Sequence, residues 1–153
     1  MAPFLILAGS VLGFRAFAMA GVSPLASWQA DARFGLALML LVTAAAHFNA
    51  TRPDLIRMVP AGLPWPAQIV AVTGGLELLA AAGLVIPFTA PLAGIVLAAL
   101  LVAMFPANVN ASLRQLHLRG KRATPFALRL PIQLVFIGLA LWATQAAALS
   151  VAV

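Results

Sequence analysis

Apolar runs separated by short polar connections organise the whole chain. Five of these runs approach the length that a helix needs to cross a hydrocarbon core about 30 Å thick. We therefore predict an all-α fold, a polytopic transmembrane helical bundle that forms a single domain over residues 1–153. The predicted spans cover about residues 3–22, 34–48, 67–87, 92–106 and 129–149.

The first two runs depart from a simple span. The first contains Arg15, but it lacks the basic n-region of a signal peptide, so we interpret it as a span. The second, Phe34 to Phe48, would cover only about 22 Å at the rise of an α-helix. Its flanks must therefore contribute to the crossing, or the span must end in a polar pocket.

Two of the connections are long enough to carry structure of their own. Prolines punctuate residues 49–66 and prevent one continuous helix there, so we predict only a short interfacial helix from Asp54 to Val59. Residues 107–128 are rich in basic side chains. Their spacing predicts a short amphipathic segment that lies on the membrane surface.

Composition supports the membrane assignment and excludes several chemistries. Hydrophobic residues make up 64% of the chain and charged residues only 8%, whereas soluble domains carry about 25% charged residues. The chain has no cysteine, which excludes disulfides and thiolate metal sites, and it has no tyrosine. With two histidines and no metal-binding motif, no metal site is predicted.

The net charge of +6 follows the predicted topology. The basic side chains concentrate in alternate connections, which the positive-inside rule places in the cytoplasm together with the N-terminus. Because topology explains these charges, we do not predict nucleic-acid binding.

Two opposite charges interrupt the predicted spans. Glu77 lies about 15 Å and Arg15 about 18 Å from the cytoplasmic ends of their spans, by helix rise. Since an unpaired charge is costly at this depth, we predict an intramembrane ion pair between Arg15 and Glu77. In the alternative arrangement, a protonated Glu77 bonds a backbone carbonyl or Thr73, and Arg15 reaches towards the membrane surface.

A second group of polar side chains gathers at the cytoplasmic ends of the spans. Arg129 and Gln133 lie four residues apart on one helix face, and His47 and Asn108 lie at other span ends. We predict a polar pocket with Glu77 as its floor, although helix capping and lipid contact explain each residue alone. Direct contact between His47 and Glu77 is not expected, because their depths differ by about 10 Å.

Six short motifs follow one another between Phe34 and Thr144, namely AAHF, RPDL, MVPAGLPWP, TGGLELLAAAGLVIP, FPANVNAS and RLPIQ. As a set, they resemble the DoxX-like family of small bacterial membrane proteins. The resemblance implies a four-span bundle in the bacterial cytoplasmic (inner) membrane, to which the run containing Arg15 adds a span. Recurrent polar positions of that family fall on the five predicted pocket residues.

The resemblance and the pocket together give three functional hypotheses. Relatives are linked to thiosulfate:quinone oxidoreduction, to membrane redox complexes or to assisting other membrane proteins. The hypothesis that we favour is a non-enzymatic protein that binds a lipid, a quinone or another small molecule near the cytoplasmic side, alone or within a redox complex. The alternatives are a true oxidoreductase subunit, and a small transporter or membrane-protein assembly factor. No catalytic residue is predicted, and a quinone is the one cofactor left open.

Overall fold

The computed structural model describes residues 2–21, 27–118 and 120–151. Within these residues, six helices follow one another, and a two-stranded antiparallel hairpin joins the last two. The helices are α1 Ala2–Met19, α2 Trp28–Phe48, α3 Arg52–Met58, α4 Pro66–Val85, α5 Ala90–Leu113 and α6 Phe126–Val151, and the strands are β1 His117–Leu118 and β2 Lys121–Arg122.

Four helices, α2, α4, α5 and α6, are long and apolar enough to cross a membrane, and α1 is apolar but shorter. Their outer faces carry large apolar side chains. Leu79 of α4, Leu92 of α5 and Leu134 of α6 are between 60% and 70% exposed. A soluble protein rarely leaves extended apolar surface in water, so these faces contact lipid. The predicted helical membrane bundle is confirmed at this level.

Helix α2 occupies the centre of the bundle. It packs against α1, α4 and α6, while α5 packs between α4 and α6. Leu36 and Leu40 of α2 join Leu84 of α4 and Leu97 of α5 in one buried apolar cluster, and each is at most 2% exposed. The side chains of α2 therefore reach the interior from several sides, and polar residues on this helix must find partners within the protein.

Helix α2 begins six residues before the predicted span at Phe34. Ser27 caps its first turn, because the Ser27 hydroxyl accepts a hydrogen bond of 3.1 Å from the backbone N–H of Ala30. Asp31, which was expected in a connection, consequently lies in the first helical turn and is fully buried. An acidic residue is favoured there because it faces the positive end of the helix dipole.

Helices α5 and α6 each contain a proline, and both extend beyond the predicted spans of residues 92–106 and 129–149. Helix α5 continues past Pro106 to Leu113, and α6 begins at Phe126 and contains Pro131. A proline removes one backbone donor, but neighbouring groups can compensate for this loss inside a membrane bundle. As a result, Asn108 lies on a helix rather than in a loop.

The predicted amphipathic segment over residues 107–128 is not one continuous element. The last two turns of α5 and the hairpin take its place, with His117 paired to Arg122. Two other details of the prediction, the end of the first span at Val22 and the basic residue Arg119, lie outside the described residues.

Helix α3 confirms the short helix that was predicted in the proline-rich connection. Pro53 lies in its first turn, where a missing backbone donor costs nothing. Arg57 forms an ion pair with Asp54 on the same helix and also donates a hydrogen bond of 3.3 Å to the carbonyl of His117. These contacts tie α3 to the hairpin at one end of the bundle.

Candidate functional site

A glycine brings α4 into direct contact with α2. A Cβ atom built on Gly74 would lie 2.5 Å from Cβ and 2.8 Å from Cγ of His47. No larger residue fits there without displacing the imidazole. Because positions three apart share a helix face, this close approach also turns Glu77 towards α2. The sequence TGGLE thus creates a polar contact between two spanning helices.

The contact forms a buried polar cluster, which consists of Thr43, His47 and Glu77. The Thr43 hydroxyl donates a hydrogen bond of 2.7 Å to Oε2 of Glu77. Nδ1 of His47 lies 3.1 Å from the backbone carbonyl of Thr43 and 4.0 Å from the same Glu77 oxygen. His47 is 4% exposed and Glu77 is 6% exposed, so these two side chains lie inside the protein and away from lipid, with the half-buried Thr43 beside them.

Thr43 was not among the predicted site residues. It lies four residues before His47, and this spacing places both on one face of α2. That signal was present in the sequence, but a threonine in an apolar run also satisfies itself by bonding a backbone carbonyl. Only the position of Glu77 on the neighbouring helix shows that the Thr43 hydroxyl bonds a side chain as well as a backbone carbonyl.

The predicted ion pair between Arg15 and Glu77 does not form. Arg15 instead lies 3.5 Å from Oδ2 of Asp31, and its guanidinium lies 4.6 Å from the centre of the Trp28 ring. Helix α1 ends at Met19, so Arg15 is near its far end, beside the start of α2. Glu77 meets the opposite half of α2. The depth estimate failed because it measured both residues from span ends at assumed equal levels.

The same assumption led to the prediction that His47 and Glu77 do not contact each other. Their side chains are in fact neighbours, 4.0 Å apart. Helix α2 ends opposite Gly74, which lies eight residues, or about 12 Å, into α4. The two spans therefore do not end at one level. The alternative partner Thr73 is also excluded, since its hydroxyl bonds backbone carbonyls of its own helix, including that of Ile69 at 2.9 Å.

The remaining predicted residues form a second site between α5 and α6. Arg129 donates hydrogen bonds to Oδ1 of Asn108 and, over 3.3 Å, to the carbonyl of Thr124. Gln133 donates a hydrogen bond of 2.6 Å to the carbonyl of Leu101. They border a cavity of about 150 Å³, which we call the Arg129 cleft. Its lining residues are Pro3, Phe4, Asn108, Thr124, Arg129, Ile132, Gln133 and Phe136.

The predicted single pocket is therefore two sites. Asn108, Arg129 and Gln133 line the Arg129 cleft together, whereas His47 and Glu77 belong to the buried polar cluster and do not line it. Both sites lie in the half of the bundle where α2 and α5 end and α6 begins.

Arg129 carries a charge without a carboxylate partner among the described residues. The arginine ion pairs in that part of the chain join Arg15 with Asp31 and Arg57 with Asp54, and the hydrogen bonds of Arg129 go to neutral oxygens. No group of three metal-ligating side chains occurs in the same residues. The cleft is thus suited to a negative or electron-rich group rather than to a cation.

These features define a small helical membrane protein with a buried polar cluster in one helix pair and a separate basic cleft. The chain belongs to a family described as a domain of unknown function, DUF8561, which matches residues 36–147. No curated protein and no solved structure matches the chain. The matched region contains the polar cluster and most of the Arg129 cleft, but not α1.

Proposed function

We propose that the protein binds a membrane amphiphile, whose polar head occupies the Arg129 cleft. The main support for this proposal is the half-buried guanidinium of Arg129, which faces a cavity and has no carboxylate partner in the described part of the chain. A hydrogen bond to a charged group contributes about 1.5 to 3 kcal/mol. A head group that accepts a hydrogen bond from Arg129 would therefore gain binding free energy on entering the cleft.

The size of the cleft favours a head group over a whole molecule. Its volume of about 150 Å³ is below the roughly 300 to 1,000 Å³ of pockets that enclose a complete small ligand. Phe4, Ile132 and Phe136 supply apolar walls beside the polar groups. This combination suits a polar head with an apolar remainder that follows the lipid-facing surface.

A phospholipid and a quinone both satisfy this chemistry. A phosphate oxygen and a quinone carbonyl each accept hydrogen bonds, and Arg129 and Gln133 supply donors. The resemblance to DoxX-like proteins extends the proposal to a quinone held for a partner redox complex, in which this chain would be the binding subunit and not the catalyst. A lipid would instead make the site structural.

Mass spectrometry of molecules that co-purify with the protein in mild detergent tests the proposal. The wild type should retain a specific phospholipid or quinone at about one per chain, and Ile132→Phe, which fills the cleft without altering a charge, should lose it. Arg129→Gln should also lose it, while Arg52→Gln, which removes an exposed arginine elsewhere, should not. Equal retention by all four proteins would refute binding at this site. The mass of the retained molecule distinguishes a lipid from a quinone.

We further propose that α1 crosses the membrane as a fifth span, in a bacterial inner membrane with the N-terminus and basic connections in the cytoplasm. The Arg15–Asp31 ion pair and the buried side chain of Leu7 support its place beside α2. In the cysteine-free chain, Lys121→Cys should react with an impermeant reagent only from inside and Ala20→Cys only from outside. Labelling of both variants from one side would contradict this arrangement.

A further inference from the structure

A larger groove lies outside both sites, at the end of the bundle where α3 meets the start of α4 and the end of α5. Its volume is about 440 Å³, which falls within the range of roughly 300 to 1,000 Å³ that is typical of ligand sites. Two arginines, Arg57 and Arg114, lie on its border together with the apolar side chains of Leu63, Trp65 and Leu116. We call it the interfacial groove.

Trp65 borders this groove and has an unusual backbone conformation. Its φ angle of 52° lies in the left-handed region, which a residue of this size rarely adopts. Its side chain is nevertheless 72% exposed, so no burial in the protein compensates for the conformation. Backbone strain of this kind tends to persist where it serves binding, and an indole is a common group at the membrane–water interface.

Arg114 supplies a charge that no protein group neutralises in the described part of the chain. Its backbone N–H bonds Asn110, but no hydrogen bond or ion pair involves its guanidinium. Arg57, which also borders the groove, is paired with Asp54 and keeps a 60% exposed side chain. The groove therefore presents a net positive charge beside apolar walls.

The level of the groove identifies the class of ligand. Trp65 directly precedes the spanning helix α4, and Arg114 directly follows the spanning helix α5. The groove consequently lies at the height of the lipid headgroups. Anionic phosphate at this height is attracted by arginine, and an indole beside it can contact the glycerol region and the first methylene groups.

We propose that the interfacial groove binds the phosphate of an anionic phospholipid, with Arg114 as the principal ligand and Trp65 as the contact to the apolar part. This site is separate from the Arg129 cleft and does not depend on what that cleft binds. The same phosphate chemistry could come from a soluble phosphorylated compound, so the test must distinguish the two sources.

Native mass spectrometry of the full chain, released from vesicles of phosphatidylcholine with phosphatidylglycerol, provides the test. Arg114→Gln should weaken retention of one phosphatidylglycerol by about five- to tenfold, the effect of one arginine at a phosphate. Arg122→Gln is the matched control, because it removes the same charge from an exposed hairpin position outside the groove. Trp65→Leu should weaken retention as well. The unfolding midpoint of Arg114→Gln should equal that of the wild type, since its guanidinium has no partner to lose.

Three results would overturn the proposal. Arg114→Gln could retain the lipid as the wild type does, or Arg122→Gln could lose it to the same extent, which would indicate a general charge effect. Alternatively, glycerol phosphate added to the detergent-solubilised protein could displace the bound phosphatidylglycerol. That result would assign the groove to a soluble compound. Retention that depends on Arg114 but not on Arg129 separates this site from the proposed function.

Discussion

Replacing Glu77 with methionine is expected to stabilise the protein, although it removes the carboxyl group of the buried polar cluster. The reason is that Thr43 and His47 each have another hydrogen-bond acceptor besides the carboxyl group of Glu77. The Thr43 hydroxyl also lies 3.2 Å from the carbonyl of Leu40, and Nδ1 of His47 lies 3.1 Å from the carbonyl of Thr43. Both groups keep a backbone acceptor when the carboxyl group is removed, so no buried donor is left without a partner.

The magnitude follows from two opposing effects. An ionisable side chain near the centre of a spanning helix costs about 2.5 to 3.5 kcal/mol on insertion scales. Its hydrogen bond to Thr43 returns about 1.5 to 3 kcal/mol. Methionine has a similar length and fills the space flexibly, so Glu77→Met should gain about 1 kcal/mol. For a chain of this size, that corresponds to a rise of roughly 2 to 4 °C in the unfolding midpoint.

A double-mutant cycle with Thr43→Val isolates the hydrogen bond. In the wild type, Thr43→Val leaves Glu77 without its hydroxyl donor and should lower the free energy of unfolding by about 1.5 to 3 kcal/mol. In the Glu77→Met background the same change should cost less than about 1 kcal/mol, which gives a coupling of about 1 to 2 kcal/mol. Denaturant titration in detergent measures all four proteins. A loss of stability in Glu77→Met, or additive effects of the two changes, would refute the reasoning.

Two further predictions concern helix contacts and are checked by the same titration. Gly74→Ala should cost about 1 to 3 kcal/mol, because the new methyl group overlaps His47. The control Gly75→Ala faces open space and should be neutral or stabilising by up to about 1 kcal/mol; similar losses in both would show that helix propensity, not contact, decides. Arg15→Met should cost about 3 to 5 kcal/mol, since it strands a fully buried Asp31. A loss below about 1 kcal/mol would show that the ion pair contributes little to the stability of the fold.

The helices of the bundle were predictable because apolar runs of this length have few other stable structures. Their boundaries were less so, because each depends on one local interaction. Asp31 and Arg33 indicate a connection in the pattern of polar residues, yet the Ser27 cap extends α2 across both. Pro106 indicates a helix end, yet α5 continues beyond it. At the start of α2, the contact of a single residue outweighs the average character of the segment.

The candidate site also has a part that the sequence indicates and a part that it does not. Asn108, Arg129 and Gln133 line one cleft, and helix spacing and the order of the span ends already indicate that they lie at one level. Pairing Glu77 required the relative shift of two helices along their axes. A sequence does not display this shift, which the contact between Gly74 and His47 sets. Close helix approach at small residues is recognisable only once the facing residue is known.

Helix α1 connects the ion pair at one end of the bundle with the Arg129 cleft at the other. Pro3 and Phe4 form part of the cleft wall, and Arg15, about 18 Å further along the helix, is fastened to Asp31 of α2. Because a helix is stiff over this length, the ion pair limits the tilt of α1 and with it the width of the cleft. The family match covers residues 36–147 and so does not include α1, which contributes Pro3 and Phe4 to a cleft whose other lining residues belong to α5, α6 and the segment before α6.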